Sequence, residues 1–593
     1  MMTGAARQQP QASQPPSKNG SVPFWERRGA LEVILLCVSV VAFISTLSFD
    51  FVYDDRVQVL DNPFIQSWRY FFHDFTSHVW AQTHKPAVYY RPVFLSWLRL
   101  NYLAFGPHAW GWHFAVVLIH ALATVLVFRL ALRLLQSRWQ AAIAGLFFAI
   151  HPIHVENVAW VSGAVDPLMS VFFVGSFLGY LNWRQRGSLP WMVGSLFLAF
   201  LAMLTKESGI TLPAVVLAYA WIFSAAQQAG RTSVATRLRE TATQALPFAL
   251  VALAYWTLRQ EVLQTQPPIH TTYTTILLTL PGLLLFYLRL LVWPVGLCLF
   301  YDRQYVQHMS LSGFVLPLSV LALLAALLLL SFRRDAQRKE AAFGFAFALL
   351  TLSPALWVRW FPPDDFVHDR YLYLPFAGFA LLFAIALVKL RGRSAPGWIG
   401  PPRQVLVAFV VAVALLISCG LTQLHWTNDL LLWSHCFKTA RHNQRVLNNL
   451  ASSLGERGEY QRAVPLFLEV LAQDPSSADA QGNLGYTYYR MDQLPQAEKH
   501  LSQAIQLDPL DSHSLLYLGF TLYKLGSLER AQSNLSRAIV LDPQAQGAHL
   551  ALSLVLEQRG DLAGALREAE AELAYHPDEQ LVRERLKHLR DAK

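Results

Sequence analysis

Charged residues are scarce in this sequence, and the scarcity is concentrated in one part of the chain. Asp, Glu, Lys and Arg make up only 15% of the 593 residues, whereas hydrophobic residues make up 54%. Soluble domains usually carry about 25% charged residues. Residues 30–422 account for the deficit, and residues 440–593 have the composition of a soluble helical domain. This pattern excludes a single soluble domain and predicts that the first part lies in a membrane.

Cysteine is also scarce, and no CxxC pair occurs among the four cysteines Cys37, Cys298, Cys419 and Cys436. This excludes the common zinc-ribbon and dithiol motifs, and we interpret these residues as small buried apolar side chains. A basic stripe is absent too. The net charge of +9 comes from short basic clusters between apolar runs, so nucleic acid is not an expected partner.

Eleven apolar segments have about the length that a helix needs to cross a bilayer. They lie at residues 30–49, 112–135, 141–161, 166–183, 189–205, 209–224, 243–259, 313–332, 341–358, 372–389 and 404–422. The segment 274–297 is also apolar, but it contains Arg289 and Pro294, and we interpret it as an interfacial helix. Residues 1–29 are rich in Gln, Pro, Ser and Gly and are predicted to form a disordered cytoplasmic tail.

Lys and Arg in the loops determine the predicted orientation, because basic residues favour the cytoplasmic side. With the N-terminus inside, eleven spans place all six basic clusters in the cytoplasm. These clusters lie at residues 27–28, 129–138, 184–186, 231–239, 333–339 and 389–403. A twelfth span at 274–297 would move the cluster at 333–339 outside. The loop 50–111 and everything after residue 422 are then extracytoplasmic, in the periplasm of a bacterial inner-membrane protein or the lumen of an endoplasmic reticulum.

A period of 34 residues marks the C-terminal part. Asp-Pro pairs recur at residues 474, 508 and 542, and His576-Pro577 continues the series. This period, with its small residues and helix-ending proline, is typical of tetratricopeptide repeats. We predict a linker helix at 423–443, four repeats at 444–577 and a capping helix at 578–593. Such an array forms an α-solenoid whose concave face holds an acceptor protein or peptide, with self-association as the alternative role.

Four polar clusters border the apolar segments on the predicted outer side, where ionisable residues are costly and therefore functional candidates. The first contains Asp54 and Asp55, directly after the first span. Adjacent carboxylates suit a general base and its partner, and a solvated helix cap is the structural alternative. The rest of this loop is rich in aromatic residues, as interfacial helices are, and it contains Arg91 as a candidate anion contact.

The second cluster contains His151, His154 and Glu156 around a proline that breaks the helix. Their side chains suit hydrogen bonding to a substrate, because a broken helix exposes polar groups to a cavity. Their HxHxE spacing is only a weak motif for a divalent metal. A purely structural role is the third possibility.

The third and fourth clusters combine cations with a carboxylate and a tyrosine. Lys206 precedes Glu207, and Arg370 precedes Tyr371. Lys206 either extends to the membrane surface or binds a phosphate. Arg370 suits bidentate phosphate binding, unless a neighbouring Asp occupies it. Since all four clusters fall on one predicted face, we expect a shared site for an anionic substrate that is embedded in lipid.

Together these motifs resemble the transmembrane and tetratricopeptide-repeat-containing protein family, which joins a multi-span GT-C glycosyltransferase core to luminal repeats. The resemblance covers about residues 30–577 and includes residues 51–56 with Asn62-Pro63, Tyr90-Arg91-Pro92, residues 151–154 with 158–163, residues 206–209 and residues 370–375. It implies an all-α fold, in which a polytopic transmembrane helical bundle with about eleven GT-C-like spans precedes a tetratricopeptide-repeat α-solenoid.

The resemblance also implies a reaction. A sugar, mannose in the eukaryotic members, passes from a polyprenyl-phosphate or dolichyl-phosphate donor to protein Ser or Thr with inversion. The roles implied by the resemblance are base for Asp54 or Asp55 and donor-phosphate binding for Lys206 and Arg370. The residues themselves add Arg91 as a further donor-phosphate contact, and His151, His154, Glu156, Glu207 and Tyr371 as candidates for substrate binding. No cofactor is implied beyond the lipid-linked sugar, and a divalent metal has no support.

Two other functions fit the same pattern. One is sugar transfer to a lipid or an envelope glycan, with the repeats serving assembly. The other is a transporter or scaffold with a docking domain. A transporter should show two related halves with broken helices and charges at the midplane of the membrane, and the sequence shows no such symmetry.

Overall fold

The computed structural model describes residues 29–83, 87–224, 233–263, 268–333, 335–389 and 403–591. The predicted cytoplasmic tail falls almost wholly outside this part. The N-terminal part contains α1 (Ala30–Phe43), α2 (Pro92–Phe105), α3 (Ala109–Leu135), α4 (Arg138–Ile150), α5 (Val155–Ala159), α6 (Val165–Arg186), α7 (Leu189–Thr205), α8 (Leu212–Ile222), α9 (Val234–Leu263), α10 (Tyr273–Val292), α11 (Leu316–Phe332), α12 (Arg338–Leu356), α13 (Pro375–Lys389) and α14 (Arg403–Gln423). The described residues form helices and turns without a strand, so the predicted all-α class is confirmed.

Eight helices of the described residues are long and apolar enough to cross a membrane. With the short turns that extend some of them, they are α1, α3, α6, α9, α10, α11, α12 and α14. The pair α4 and Pro152–Ala159 passes the same test but is bent by 49° at the break. Three further apolar helices, α7, α8 and α13, are shorter. The chain is therefore a multi-pass membrane protein, and each of the eleven predicted spans coincides with one of these helices.

Helix α10 covers most of the segment that the sequence predicts to be interfacial. It has 20 residues and a mean hydropathy of 2.0, which is sufficient for a span. However, contacts at its two ends lead to the same face of the molecule. The His270 N–H donates to the Arg359 carbonyl (2.9 Å) beside α12, and the His435 ring bonds the Leu297 carbonyl (2.9 Å). A helix that lies along the membrane surface accounts for both contacts, but the length of α10 also suffices for a span, so the interfacial placement stays a prediction.

Contacts among the described residues join helix ends that lie in or beside three of the basic clusters, those at 129–138, 333–339 and 389–403. The Lys389 ammonium, at the end of α13, pairs with Asp335 (2.8 Å), just after α11. The Gln140 and Gln337 side chains bond each other (2.9 Å) and thereby join the beginnings of α4 and α12. This grouping is what the positive-inside pattern requires of the cytoplasmic ends of spans.

The C-terminal part is a row of antiparallel helix pairs. The linker helix α15 (Asp429–Thr439) precedes the pairs α16 (Gln444–Glu456) and α17 (Tyr460–Gln473), α18 (Ala478–Arg490) and α19 (Leu494–Leu507), α20 (Ser512–Lys524) and α21 (Leu528–Leu541), and α22 (Ala548–Gln558) and α23 (Leu562–Tyr575), which are followed by α24 (Gln580–Asp591). Small residues allow the helices of a pair to approach closely. A Cβ on Gly485 would lie 2.6 Å from Leu501 Cγ, and one on Gly519 would lie 2.5 Å from Leu535 Cγ.

The repeats pack against the first loop of the membrane part. The Arg56 guanidinium pairs with Glu456 (2.8 Å) at the end of α16. The Tyr53 N–H donates to Asp429 Oδ1 (2.9 Å) at the start of α15. The Arg445 guanidinium lies 3.5 Å from Asp365, in the segment between α12 and α13. The first repeat therefore lies next to the predicted Asp54–Asp55 cluster.

Candidate functional site

Asp55 is fully buried, and its carboxylate forms hydrogen bonds to two segments of the chain. Its Oδ1 accepts hydrogen bonds from the Ser162 hydroxyl (2.6 Å) and N–H (2.7 Å). Its Oδ2 accepts from the N–H groups of Val52 (3.3 Å) and Val161 (3.4 Å). Burial raises the pKa of Asp55 to about 7, although these four donors lower it. The carboxylate thus ties the first loop to the turn between α5 and α6.

Asp54 has a different environment, although it is the adjacent residue. It is half-buried, and it accepts no hydrogen bond from any residue that the structure describes. Burial raises the pKa of its carboxyl to about 7; the charge of Arg370 lowers it, and those of Asp55 and Asp365 raise it. A half-exposed carboxylate with free lone pairs and a pKa near neutrality has the properties of a general base.

Arg370 lies close to Asp54 and is paired with Glu156, which is buried in α5. Arg370 Nη1 donates to Glu156 Oε1 (2.8 Å), and the Arg370 main-chain N–H donates to Oε2 (3.1 Å). The guanidinium also lies 5.4 Å from the ring centres of Trp160 and Tyr371. The Arg370 side chain is 20% exposed, so the guanidinium keeps free donors at the surface of the site.

Lys206 is paired with a carboxylate that the sequence analysis does not identify. Its ammonium lies 2.6 and 2.7 Å from the two oxygens of Asp166, in the first turn of α6. Both side chains are at least nine-tenths buried. The centre of the Tyr371 ring is 5.5 Å from the Lys206 ammonium and 5.4 Å from the Arg370 guanidinium, so this ring contacts both cations.

Arg91 and Glu207 form a third ion pair. Arg91 Nε and Nη2 donate to the Glu207 carboxylate in a bidentate arrangement (2.9–3.2 Å). The guanidinium lies 4.6 Å from the ring centre of Tyr89. Burial would raise the pKa of Glu207, but Arg91 holds it below its usual range. The predicted phosphate-binding cations are thus brought together, each with a carboxylate of its own.

The two histidines of the second cluster lie below the surface of the site. His154 is fully buried, and neither ring nitrogen has a hydrogen-bond partner among the described residues. Its ring packs 4.6 Å from the ring centres of Phe148 and Tyr373. His151 Nδ1 accepts a hydrogen bond from the Ile153 N–H (3.2 Å) at the helix break. The two imidazoles thus pack beneath the ion pairs, and substrate binding by His151 and His154 stays a prediction.

The weak metal motif receives no structural support either. No group of three or more His, Cys, Asp or Glu side chains is arranged to hold a metal ion within the described ranges. Glu156 belongs to the pair with Arg370 instead.

Asp365 and Arg445 also lie near Asp54. Asp365 is one of the acidic residues just before Arg370, whereas Arg445 belongs to the first repeat and is brought here only by the fold. Asp365 Oδ1 lies 2.8 Å from His368 Nε2, and the Asp365 carboxylate lies 3.5 Å from Arg445. Burial would raise the pKa of Asp365, but His368 and Arg445 lower it. Asp166, the partner of Lys206, could have been recognised from the sequence, because a lone carboxylate at the start of an apolar helix is a functional candidate.

The repeats carry an aromatic cluster on α18 and α20, the first helices of the second and third repeats. The ring centres of Tyr486 and His513 lie 4.5 and 4.6 Å from that of Tyr517, and Phe520 lies 5.6 Å from it. Arg490 is exposed and donates to the Tyr486 hydroxyl (2.6 Å). This cluster is a half-exposed surface of the kind to which extended peptides bind.

Comparisons with known proteins agree with both parts of the chain. Tetratricopeptide-repeat family models match residues 456–518 and 518–579. The chain is 28% identical over 520 residues to protein O-mannosyl-transferase TMTC3 of Mus musculus, covering 80% of this chain and 55% of that protein. It is 37% identical over 189 residues to protein O-mannosyl-transferase Tmtc2 of Drosophila melanogaster, covering 30% and 20% of the two chains.

The chain spans about half the length of the curated relatives that it matches over most of its own length. Among solved structures, the crystal structure of YrrB, a TPR protein with an unusual peptide-binding site, is 18% identical with a TM-score of 0.25, covering 30% of this chain and 91% of that one. The resemblance stated from the motifs is confirmed: this chain is similar along most of its length to the TMTC protein O-mannosyl-transferases, and its C-terminal helices are tetratricopeptide repeats.

Proposed function

We propose that this protein is a membrane glycosyltransferase that moves a sugar, mannose, from a polyprenyl-phosphate donor to a Ser or Thr hydroxyl of a protein. The observation that carries the proposal is Asp54: a half-buried carboxylate without a hydrogen-bond partner in the described structure, close to the ion-paired guanidinium of Arg370. The names of the relatives support protein O-mannosylation.

Asp54 is the base in this proposal. Its pKa of about 7 makes it a stronger base than an ordinary Asp, while much of it stays ionised at neutral pH. It takes the proton of the acceptor hydroxyl as the hydroxyl oxygen attacks the anomeric carbon of the sugar. The bond from that carbon to the donor phosphate breaks, and the phosphate leaves with the electron pair. A single displacement of this kind inverts the anomeric centre.

Arg370 is the cation best placed to bind the leaving phosphate. An arginine has five N–H donors, and Arg370 uses one of its nitrogens on Glu156 while its side chain remains 20% exposed. Lys206 and Arg91 are more fully occupied by Asp166 and Glu207. They contribute positive potential and a fixed geometry behind Arg370, as preorganised charges do.

The donor must reach this site from the bilayer, and a groove beside the site suits an isoprenoid chain. The groove lies between α10 and α11, has a volume of about 480 Å³ and includes Phe286 and Phe366 in its lining. Arg289 and Arg303 also line it, and no carboxylate of the described residues forms an ion pair with either. Phe366 directly follows Asp365 in the sequence, so one residue of the groove wall is adjacent along the chain to a carboxylate near Asp54.

The repeats recruit the protein acceptor in this proposal. They begin beside the site, because Arg445 contacts Asp365, and their aromatic cluster around Tyr517 offers a peptide-binding surface. The basic clusters are predicted to lie on the other face of the membrane. The positive-inside rule then puts Asp54 and the repeats on the extracytoplasmic side, in a periplasm or an endoplasmic-reticulum lumen.

The test is sugar transfer by the purified full chain from polyprenyl-phosphate mannose to Ser- and Thr-containing proteins. Asp54→Asn should abolish transfer, whereas the exposed Asp50→Asn, in the same loop, serves as the matched control and should retain it. Transfer by wild type and by both variants alike would reject Asp54 as the base. Absence of transfer from every polyprenyl-phosphate sugar would reject the glycosyltransferase. Transfer to glycans but never to protein would show that the acceptor is a glycan and reject protein as the acceptor.

A further inference from the structure

Two cysteines that are distant in sequence meet at the junction between the membrane part and the repeats. Cys298 lies in the segment that follows α10, and Cys436 lies on the linker helix α15. Both side chains are buried, both are free thiols in this structure, and the two lie close enough to influence each other. The neighbouring residues fix this arrangement, because the His435 ring bonds the Leu297 carbonyl at 2.9 Å. Cys37 and Cys419 have no such cysteine neighbour among the described residues.

The junction is directly connected to the candidate site. The Cys298 N–H donates to the Tyr301 hydroxyl (3.1 Å), which in turn donates to Asp369 Oδ1 (2.6 Å). Asp369 immediately precedes Arg370, the proposed phosphate ligand. The segment that carries Cys298 therefore supports one wall of the site, and the helix that carries Cys436 supports the first repeat.

We propose that Cys298 and Cys436 form a disulfide bond that fastens the repeat domain over the site. The proposal rests on the proposed function for one point only, the extracytoplasmic location, since disulfides persist in periplasm and endoplasmic-reticulum lumen but not in cytosol. The two thiols lose two protons and two electrons as the S–S bond forms. The electrons pass to a protein disulfide of an oxidoreductase by thiol–disulfide exchange, and that disulfide becomes two thiols.

The order of events follows from burial. The thiolate is the attacking species in exchange, and burial raises the pKa of the Cys298 thiol. Exchange at the closed junction is therefore slow in either direction. The bond forms while α15 docks onto the membrane part during folding, and it is then protected from reductants.

Mass spectrometry of the full chain tests the bond directly. Membranes are denatured in N-ethylmaleimide at low pH to prevent reshuffling, and the protein is digested without reduction. We expect a linked peptide pair containing Cys298 and Cys436, together with alkylated Cys37 and Cys419. Alkylation of all four cysteines in wild type would overturn the proposal, whatever the variants do.

Stability measurements provide the second test. Dithiothreitol reduces the bond once heating opens the junction, so it should lower the Tm of wild type and of Cys419→Ala, which removes a buried cysteine without a cysteine neighbour. It should leave the Tm of the double variant Cys298→Ala and Cys436→Ala unchanged. Equal shifts in all three proteins would contradict a bond at this junction. A linked peptide in a protein without sugar transfer would reject the proposed function alone, and free thiols in an active enzyme would reject the disulfide alone.

Discussion

Replacing Asp54 and Asp55 separately by asparagine distinguishes their roles, because the two adjacent carboxylates have opposite environments. Asp55 holds four hydrogen-bond donors, two on each oxygen. Asparagine has one oxygen and one NH2 group, so two of these four donors would point at the N–H bonds of the NH2 group instead of at an acceptor. Asp54 accepts no hydrogen bond in the described structure, and its amide would be accommodated without loss.

The expected magnitudes follow from these contacts. An Asp55→Asn variant that keeps its oxygen toward Ser162 leaves the N–H groups of Val52 and Val161 without an acceptor. At about 1–3 kcal/mol for each buried unsatisfied donor, the free energy of unfolding falls by about 2–6 kcal/mol. Asp54→Asn changes stability by no more than about 0.5 kcal/mol. It removes the proposed base, and transfer should fall by a factor of about 10² to 10⁴.

The assay pairs thermal unfolding in detergent with sugar transfer for each variant. We expect Asp54→Asn to unfold like wild type but to lose transfer, and Asp55→Asn to unfold at lower temperature. The reasoning would be refuted by an Asp55→Asn protein with wild-type Tm and no transfer beside a fully active Asp54→Asn protein. That result would exchange the two roles and make Asp55 the base.

The other expectations concern pH, the buried ion pair and the repeats. Burial raises the pKa of Asp54 to about 7, and only the deprotonated carboxylate can act as the base. The kcat/KM for sugar transfer should therefore fall tenfold per pH unit below pH 7 and level off above it. A flat profile from pH 5 to 8 would contradict this. Lys206→Met should lower the free energy of unfolding by about 3–5 kcal/mol, because it leaves the buried Asp166 without its cation. Lys389 is more exposed, so Lys389→Met should lower it by at most about 1 kcal/mol. Thermal unfolding of the two variants measures this difference. Tyr517→Ala should raise KM for protein acceptors but not for short Ser peptides, and an equal change for both would argue against acceptor recruitment there.

The sequence is sufficient to predict the elements whose pattern is local. The 34-residue period of Asp-Pro pairs gives the helix pairs of the repeats, and apolar length gives the membrane helices. Helix α10 shows the limit of this reasoning, because its length equals that of a span. The charge of the loop at 333–339 favours an interfacial placement, whereas length and hydropathy alone also allow a span.

The site could be predicted only as a set of residues, because partners come from distant segments. Lys206 is recognisable as a cation at an outer turn, but its pairing with Asp166 depends on how α6 packs against α7. Asp54 and Asp55 are indistinguishable in sequence, since only the position of Ser162 shows which carboxylate is clamped. His154 is a polar residue in a motif, and its burial among aromatic rings is visible only in the fold.

The pairing of every proposed cation with a carboxylate bears on how a phosphate can bind. A buried carboxylate that loses its cation is strongly destabilising, so a donor cannot withdraw Lys206 from Asp166 without a large cost. Arg370 avoids this conflict. Its main-chain N–H and Nη1 hold both oxygens of Glu156, while its remaining side-chain donors are free to bond a phosphate without releasing the carboxylate. Before the donor binds, Lys206, Arg91 and Arg370 are each compensated by a carboxylate. During the reaction, the negative charge that develops on the leaving phosphate meets a guanidinium that is already fixed in position. This is the condition for electrostatic stabilisation without reorganisation.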